Sequence, residues 1–477
     1  MAAKVQRIML PFLVNKASSS IASSGVSRPK SPENPMQRTS GMNVPVWNPA
    51  IEFMEREALE RLQLAHLRKT IAWALKTPFY QRRLADVGLT RPDDITSLRD
   101  VRNLPYTTKD DLRDAYPDGL LAVDREQVVR LHTSSGTTGM PTVIYHTQRD
   151  IDHWTELVAR CITATGATRR DVFQNMTNYG LFTGGLGLHY GAERVGMLVI
   201  PASSGNTGRQ VQLMRNFQTS VVHATPSYLL HLQAVLAGEG IGPDQLGLRK
   251  AFIGAEPHSE ETRRKIESLL RIEAYNSYGL SEMNGPGVAF ECLYKTGLHL
   301  WEDAYFLEVI NPHTLQPLAE GETGEIVMTT LQRQATPLLR YRTRDLSHLV
   351  SGHCACGRSH RRLARLTGRS DDMLIINGVN VFPSQIEDLL MKTPEVGSNY
   401  LIQLEKRGSL DRLIVKTEIE ARWFTGHRAT LDDLRERISE LLRSAVLVKP
   451  VVELYEPGSL PVSEGKAKRV MDLRPVF

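Results

Sequence analysis

Four hydroxyls and two glycines fall within Ser134-Ser135-Gly136-Thr137-Thr138-Gly139-Met140-Pro141, a density that suits a loop wrapped around nucleotide phosphate. Glycines let the backbone bend until several N–H groups converge on one concavity, and hydroxyls add donors toward anionic oxygens. A solvated linker can have the same composition. Residues 127–132 and 142–146 on either side read as short strands, which makes the run a tight inter-strand connection. No Lys-Ser or Lys-Thr pair closes the glycines, so an ordinary P-loop kinase or GTPase is disfavoured.

The four cysteines suggest a second kind of chemistry. Cys354 and Cys356 form a Cys-x-Cys pair, and Cys292 precedes His299 by seven positions. Together they offer three sulfurs and one nitrogen, a tetrahedral zinc set, with unligated cysteines as the alternative and His353 and His360 as competing ligands. Such a closed shell leaves no position for substrate, so the metal would staple a loop to the main body. In residues 178–187, Tyr179 and Phe182 stand beside glycines that include Gly185. That mixture can form a slot for an aryl ring, or simply core aromatics at a bend.

The elements that must position these groups follow from pattern. A chain of 477 residues with 41% hydrophobic content can bury a large core. No apolar stretch approaches the ~18 residues of a membrane span, and four cysteines are too few for a disulfide scaffold, which suits a reducing cytosol. The net charge of +5 is accounted for by residues 1–45, where six basic residues meet the single acid Glu33. The rest is formally neutral, which argues against a nucleic-acid surface. The same Ser- and Pro-rich stretch reads as a disordered extension, although a transit peptide has a similar composition.

Order is expected from near Trp47. Leu64, Leu67, Ile71 and Leu75 mark an amphipathic helix over 58–75 that Pro78 ends. Helical stretches then alternate with apolar runs at 197–200, 220–223 and 250–253, a pattern that predicts an α/β architecture. After Arg369 the composition changes. Strand-like 399–404 and 412–419, helix-like 431–442 and strand-like 451–455 predict a small α+β domain. The expected division is therefore an extension over 1–45, a large body over 46–370 and a small domain over 371–477.

Read in order, five segments closely resemble the adenylate-forming enzymes, and within them the phenylacetate–coenzyme A ligases. They are the hydroxyl loop; Tyr275-Asn276-Ser277-Tyr278-Gly279-Leu280-Ser281-Glu282; Tyr341-Arg342-Thr343-Arg344-Asp345; Gly368-Arg369-Ser370-Asp371-Asp372 running into Ile376-Asn377-Gly378-Val379-Asn380-Val381-Phe382-Pro383; and Glu464-Gly465-Lys466-Ala467. The resemblance spans about residues 46–475 and implies a large multi-sheet adenylation domain with a small mobile lid. It also implies a reaction in which a carboxylate attacks the α-phosphorus of ATP, pyrophosphate leaves, and coenzyme A takes the acyl group.

Two anions must meet in such a step, so positive charge and dipoles have to offset their repulsion. The resemblance gives Ser134, Ser135, Gly136, Thr137, Thr138 and Gly139 to the β- and γ-phosphates, and Glu282 to Mg²⁺. It gives Lys466 to the substrate carboxylate and α-phosphate. Gly254-Ala255-Glu256-Pro257, Tyr278, Gly279 and Ser281 would form the ATP pocket with Arg369. Asp345 would accept the ribose hydroxyls, or else be a surface partner of Arg342 or Arg344. Asp371 would be a hinge that withdraws Lys466 after adenylation and brings Gly378-Val379-Asn380 to the coenzyme A channel.

The family pattern is broken at Met140, where lysine is frequent, at Ser281, where threonine is, and at Val462, where arginine is common. Phenylacetate is the leading substrate implied, with indoleacetate or a hydroxylated phenylacetate close behind. Acyl transfer to a carrier-protein thiol would use the same residues, and a catalytically silent binding protein would lack their activity. The expected partners are an aryl acid, ATP and coenzyme A, with Mg²⁺ and structural Zn²⁺, in a cytoplasmic protein for which a homodimer is allowed and neither nucleic acid nor membrane is implied.

Overall fold

The computed structural model describes residues 44–134, 141–407, 410–424, 428–461 and 467–474. After a short α1 (Pro49–Glu52), helix α2 (Arg56–Ala74) buries Leu59, Leu67, Ile71 and Ala74 along one stripe, as the helical spacing predicts. Pro78 does more than end this helix. Thr77 caps α3 (Pro78–Ala85), and Pro78 takes its first position, where a missing N–H costs no hydrogen bond. Helix α4 (Lys109–Asp114) leads to the antiparallel hairpin of β1 (Val128–Ser134) and β2 (Thr142–Thr147), with Ser134 opposite Thr142. The two strand-like runs flanking the hydroxyl loop are thus paired, while residues 135–140 lie outside the described residues.

Thr147 and Asp150 cap each other's backbone at the start of α5 (Gln148–Ala164). Strand and helix then alternate through β3 (Val172–Asn175), α6 (Thr183–Val195), β4 (Leu198–Ile200), α7 (Thr207–Asn216), β5 (Val221–Ala224), α8 (Pro226–Gly238), β6 (Lys250–Ile253), α9 (Glu260–Leu270) and β7 (Glu273–Leu280). The strands lie parallel in the order β4-β3-β5-β6-β7. Parallel neighbours need crossover helices, which is why the alternation was visible in the sequence. Phe173, Val221 and Phe252 pack toward α5 and α6. Val222, Ala224, Ala251 and Ile253 pack toward α7, α8 and α9 on the other face.

The chain continues through β8 (Gly285–Glu291), β9 (Leu298–Leu300), β10 (Tyr305–Ile310), β11 (Gly324–Thr330), β12 (Tyr341–Ser347), β13 (Leu349–Val350), β14 (Arg362–Leu363) and β15 (Gly368–Arg369). Strands β8, β9, β14 and β13 extend the first sheet beyond β7 by antiparallel pairing, and β10-β11-β12-β15 form a second sheet.

Past Arg369 a separate core begins. A hairpin of β16 (Leu374–Ile376) and β17 (Val379–Val381) precedes α10 (Pro383–Lys392), β18 (Val396–Arg407), β19 (Leu410–Ile419), α11 (Arg428–Val446), β20 (Val451–Tyr455) and β21 (Val470–Asp472). The sheet order is β20-β19-β18-β21, and Ile376, Ile386, Ile402, Val415, Ile438 and Val452 share one buried cluster. The expected strands and helix of this segment are present; β18, β19 and α11 run longer than their apolar signals, and β20 matches its expected bounds. The β16–β17 hairpin, α10 and β21 were not foreseen: the strands are only three residues each, and Pro383 starts a helix instead of breaking one. The architecture is α/β, a large multi-sheet body followed by a smaller α+β segment. No helix among the described residues is long and apolar enough to cross a membrane.

Candidate active site

The C-terminal ends of parallel strands leave a crevice in such sheets, and here a cavity of about 610 Å³ opens there. Its wall includes Ser134, Phe182, Gly185, Ala255, Glu256, Pro257, Tyr278, Gly279, Ser281, Asp345 and Arg369, all named from the sequence. Gly254 is buried just behind it, at the end of β6. A Cβ at Gly279 would collide with the Gly285 carbonyl, so only glycine lets β7 and β8 approach at this point.

At one end of the cavity Asp345 is 7% exposed. Tyr278 Oη donates to Asp345 Oδ2 at 2.7 Å, and an Arg369 guanidinium nitrogen donates to Oδ1 at 3.0 Å. Burial pushes the Asp345 carboxyl up from its ordinary value, and Arg369 pulls it back. Arg342 and Arg344 turn instead to Glu325, so Asp345 is not their surface partner. Arg369 also grips Asp371 at 2.8 Å, tying the start of the small segment to the same carboxylate pair.

Glu282 sits in the turn after β7, against which β1 packs with Ser134 at its end. Asn284, with φ of 71°, turns the chain back. Arg333, buried and unforeseen from the sequence, donates to the Glu282 carbonyl at 2.6 Å and to Asn284 Oδ1, holding this turn from beneath. The Tyr341 phenol lies against the Glu282 carboxylate. Among the described residues no Lys or Arg pairs with Glu282, which leaves a buried acid with spare acceptor capacity. Ser135, Gly136, Thr137, Thr138, Gly139 and Lys466 lie outside the described residues. Ala467, which follows Lys466, donates its N–H to Glu256 Oε2 at 2.9 Å, and Glu256 Oε1 accepts from Ser227 N at 2.8 Å. Glu256 is therefore a strut between the cavity wall and the small segment, a role its place in an adenine-pocket motif did not suggest.

Toward the other end, Phe182 precedes α6 and Gly185 lies in its first turn. Tyr179 is not among the wall residues: its hydroxyl takes a bond from Asn175 at 2.9 Å and meets His189 at 3.2 Å. Gly378, Val379 and Asn380 also lie away from the wall, at the turn and second strand of the β16–β17 hairpin.

Cys292, His299, Cys354 and Cys356 converge, all buried, with their ligand atoms within 4.8 Å of one another. Cys292 and Cys354 sulfurs stand 3.7 Å apart, too far for a disulfide and close to the about 3.8 Å that two 2.3 Å Zn–S bonds give at a tetrahedral angle. His299 Nε2 is 3.3 Å from Cys356 Sγ. His360 is engaged elsewhere, accepting from Glu302 N and meeting the Ile51 carbonyl, and is no ligand. The donor set fits zinc. Beside it, the buried Arg358–Glu52 pair at 2.7 Å docks the residues around α1 onto the Cys-x-Cys loop.

The AMP-binding enzyme family model matches residues 80–332, and the AMP-binding enzyme C-terminal domain model matches 378–474. A phenylacetate-coenzyme A ligase of Thermus thermophilus is 44% identical over 444 residues, covering 90% of this chain and 100% of that protein. The Escherichia coli enzyme of the same name is 46% identical, covering 89% and 97%. Among solved structures, a 2-hydroxyisobutyryl-CoA ligase with an acyl-AMP in its postadenylation state superposes with TM-score 0.85 at 26% identity, covering 92% of this chain and 95% of that one. The same ligase in its thioesterification state gives 0.67. With the described residues of the nucleotide-site motifs on one cavity and these matches over nearly its whole length, the chain belongs to the phenylacetate–coenzyme A ligase family of AMP-forming, adenylate-forming enzymes.

Proposed function

We propose that this enzyme joins phenylacetate to coenzyme A through an acyl-adenylate, converting ATP to AMP and pyrophosphate. The observation that carries this reading is one cavity bordered by the Asp345–Tyr278–Arg369 set, by the turn bearing Glu282, and by Glu256 with Ala467 bonded to it. Asp345 has lone pairs left for two ribose hydroxyls. By the family resemblance, the hydroxyl loop would bind the β- and γ-phosphates, and Lys466 would offset the negative charge that builds on the carboxylate and α-phosphate. Glu282 would hold Mg²⁺, which neutralises phosphate charge when bound. The aryl ring lies toward Phe182 and Gly185.

The small domain over 371–477 acts as a lid on a body over 46–370, hinged at Asp371. Because the chain resembles a postadenylation arrangement more than a thioesterification one, we read the present pose as the adenylate-holding stage. The lid then turns to present Gly378, Val379 and Asn380 to coenzyme A. Cys292, His299, Cys354 and Cys356 would hold a structural zinc that fastens the Cys-x-Cys loop to β9, and the lack of any disulfide among these buried cysteines suits a cytoplasmic enzyme.

Incubation with ATP, Mg²⁺, coenzyme A and phenylacetate should yield phenylacetyl-CoA, AMP and pyrophosphate. Lys466→Ala should abolish adenylate formation yet still form thioester from supplied phenylacetyl adenylate. Release of ADP and orthophosphate, or adenylate that passes only to a carrier-protein thiol, would overturn the assignment.

A further inference from the structure

His223, the last residue but one of β5, lies on the face that packs against α6, because Val221, two residues before it, points into the core shared with Phe173 and Leu188. It lines the cavity and is 3% exposed. His223 is level with Tyr275 across β6, and Tyr278 lies three residues further along β7, so two inter-strand spacings and that offset put His223 roughly 14 Å from Tyr278 at the nucleoside end. Its neighbours belong to the opposite, aryl end.

The hydrogen-bond network fixes which ring nitrogen carries the proton. Asn175 Nδ2 sits 2.8 Å from the Gly185 carbonyl, which can only accept, so the amide nitrogen must face it. Asn175 Oδ1 is thereby turned toward His223 Nδ1, at 3.2 Å. Thr177 donates its hydroxyl to that same Oδ1 at 2.8 Å, leaving its own oxygen, 3.2 Å from Nδ1, free only to accept. Both neighbours of Nδ1 are therefore acceptors, and Nδ1 carries the hydrogen. Burial pushes the imidazole pKa down to about 3, so the ring is neutral at physiological pH. Nε2 then bears a bare lone pair, with no hydrogen-bond partner among the described residues, on a side chain that forms the cavity wall.

We propose that His223 is a specificity-determining residue that accepts a hydrogen bond from the substrate ring, so that the enzyme prefers aryl acids bearing a ring donor, a phenolic O–H or an indole N–H, over unsubstituted phenylacetate. The inference rests on the acid–CoA ligase reading and refines its substrate. A buried acceptor left unpaired by a bare ring penalises that ring, whereas a donor at the right position restores the bond. The donor must sit on the side of the ring remote from the carboxylate, since the carboxylate points to the nucleotide.

The test compares kcat/KM, and calorimetric affinity without turnover, for phenylacetate, 3- and 4-hydroxyphenylacetate, indole-3-acetate, 4-methoxyphenylacetate and 4-fluorophenylacetate. In the wild type, at least one donor-bearing acid should exceed phenylacetate by about tenfold or more. The methoxy and fluoro acids, which fill space without a donor, should show no such gain. The hydroxy acids against the indole acid tell whether the donor is O–H or N–H. His223→Leu should erase the preference, and His223→Gln, whose amide oxygen can replace Nε2, should keep part of it. Nitrogen-15 spectra of the free enzyme should show His223 neutral and protonated on Nδ1, a readout independent of folding losses in the variants. Equal or better use of phenylacetate and the fluoro acid, or an Nε2-protonated ring, overturns the role of His223 while leaving the ligase assignment intact. Absence of AMP formation with every acid overturns the ligase assignment instead, and the affinity series and tautomer still decide the role of His223.

Discussion

Glu387 on α10 offers the sharpest test of how the two bodies of this enzyme work. Its carboxylate, 8% exposed, reaches out of the small domain and accepts from Ser259 N at 3.1 Å and Thr262 Oγ1 at 2.8 Å, both at the start of α9 in the large body. Within its own domain it accepts from Tyr400 Oη at 2.9 Å. Glu387→Ala would leave these donors buried and unpaired, except that Thr262 can turn its hydroxyl to Ser259 Oγ at 3.0 Å. Tyr400 loses its bond in either pose, so the docked pose alone is left with one orphaned donor, the Ser259 N–H, at a cost of about 1–3 kcal/mol. With 1.4 kcal/mol per decade, that weakens docking roughly 5- to 140-fold. Adenylation should slow, while thioester formation from supplied phenylacetyl adenylate should hold or rise, and small-angle scattering should show a more extended particle. Glu387→Gln keeps one acceptor oxygen and should lie between. Burial raises the Glu387 pKa, so the docked pose holds a proton more tightly than the released one. Docking therefore weakens as pH rises from the ordinary carboxyl range, about 4.3, through that raised value, and Glu387→Gln removes this dependence. An equal fall in both half-reactions, or no change in either rate or scattering for Glu387→Ala, would refute the interdomain role.

Metal analysis should find about one zinc per chain. Cys356→Ser should lose it and lower the unfolding midpoint while leaving the KM for ATP near wild type, because the cluster braces β9 and the Cys-x-Cys loop and lines no part of the cavity. Gly187→Ala drives a Cβ into Trp154 and to 2.7 Å from Pro286. Trp154 cannot retreat, being buried and bonded to the Pro286 carbonyl at 2.7 Å, so α6 must lift from α5 at a cost of about 1–3 kcal/mol, read by chemical denaturation. Burial raises the Asp345 pKa, and the ribose role proposed for it needs the ionised form; lowering the pH should then raise the KM for ATP earlier than an ordinary carboxylate near 4 would dictate, and Asp345→Asn should flatten that rise.

How much of this was legible in the sequence depends on how each feature is encoded. Periodicity gave α2, the apolar runs gave β5 and β6, and contiguous motifs gave most of the nucleotide wall, because those signals are local. The candidate zinc set, His299 included, was legible as residue types, but His360 could be set aside as a competitor only in the fold, which ties it to Glu302 and Ile51. For Asp345 the sequence allows a surface pair with Arg342 or Arg344, which only the fold removes, by turning both to Glu325 and setting Arg369 opposite Asp345. Tyr179 reads as a slot lining because an aromatic beside glycines does so whichever way its ring turns; in the fold its hydroxyl meets Asn175 and His189, and it is not among the wall residues.

The residues that stayed hidden share a physical cause. His223 is one imidazole in an apolar strand, unremarkable until parallel register sets it beside Asn175, and Asn175 acquires its orientation only from the Gly185 carbonyl on α6. Arg333 gains meaning only beneath a turn 49 residues or more earlier in the chain, and Glu387 only against a helix 125 residues away. Each is a buried polar group whose partner comes from a distant segment, and burial makes the pairing matter: an unpaired donor or acceptor costs far more there than at the surface. The motifs mark where the nucleotide goes, which is common to the family's chemistry. On the roles proposed for His223 and Glu387, the choice of acid and of lid pose depends on such long-range pairs, so substitutions there should alter substrate choice and half-reaction balance while the motif residues, left intact, still support adenylation.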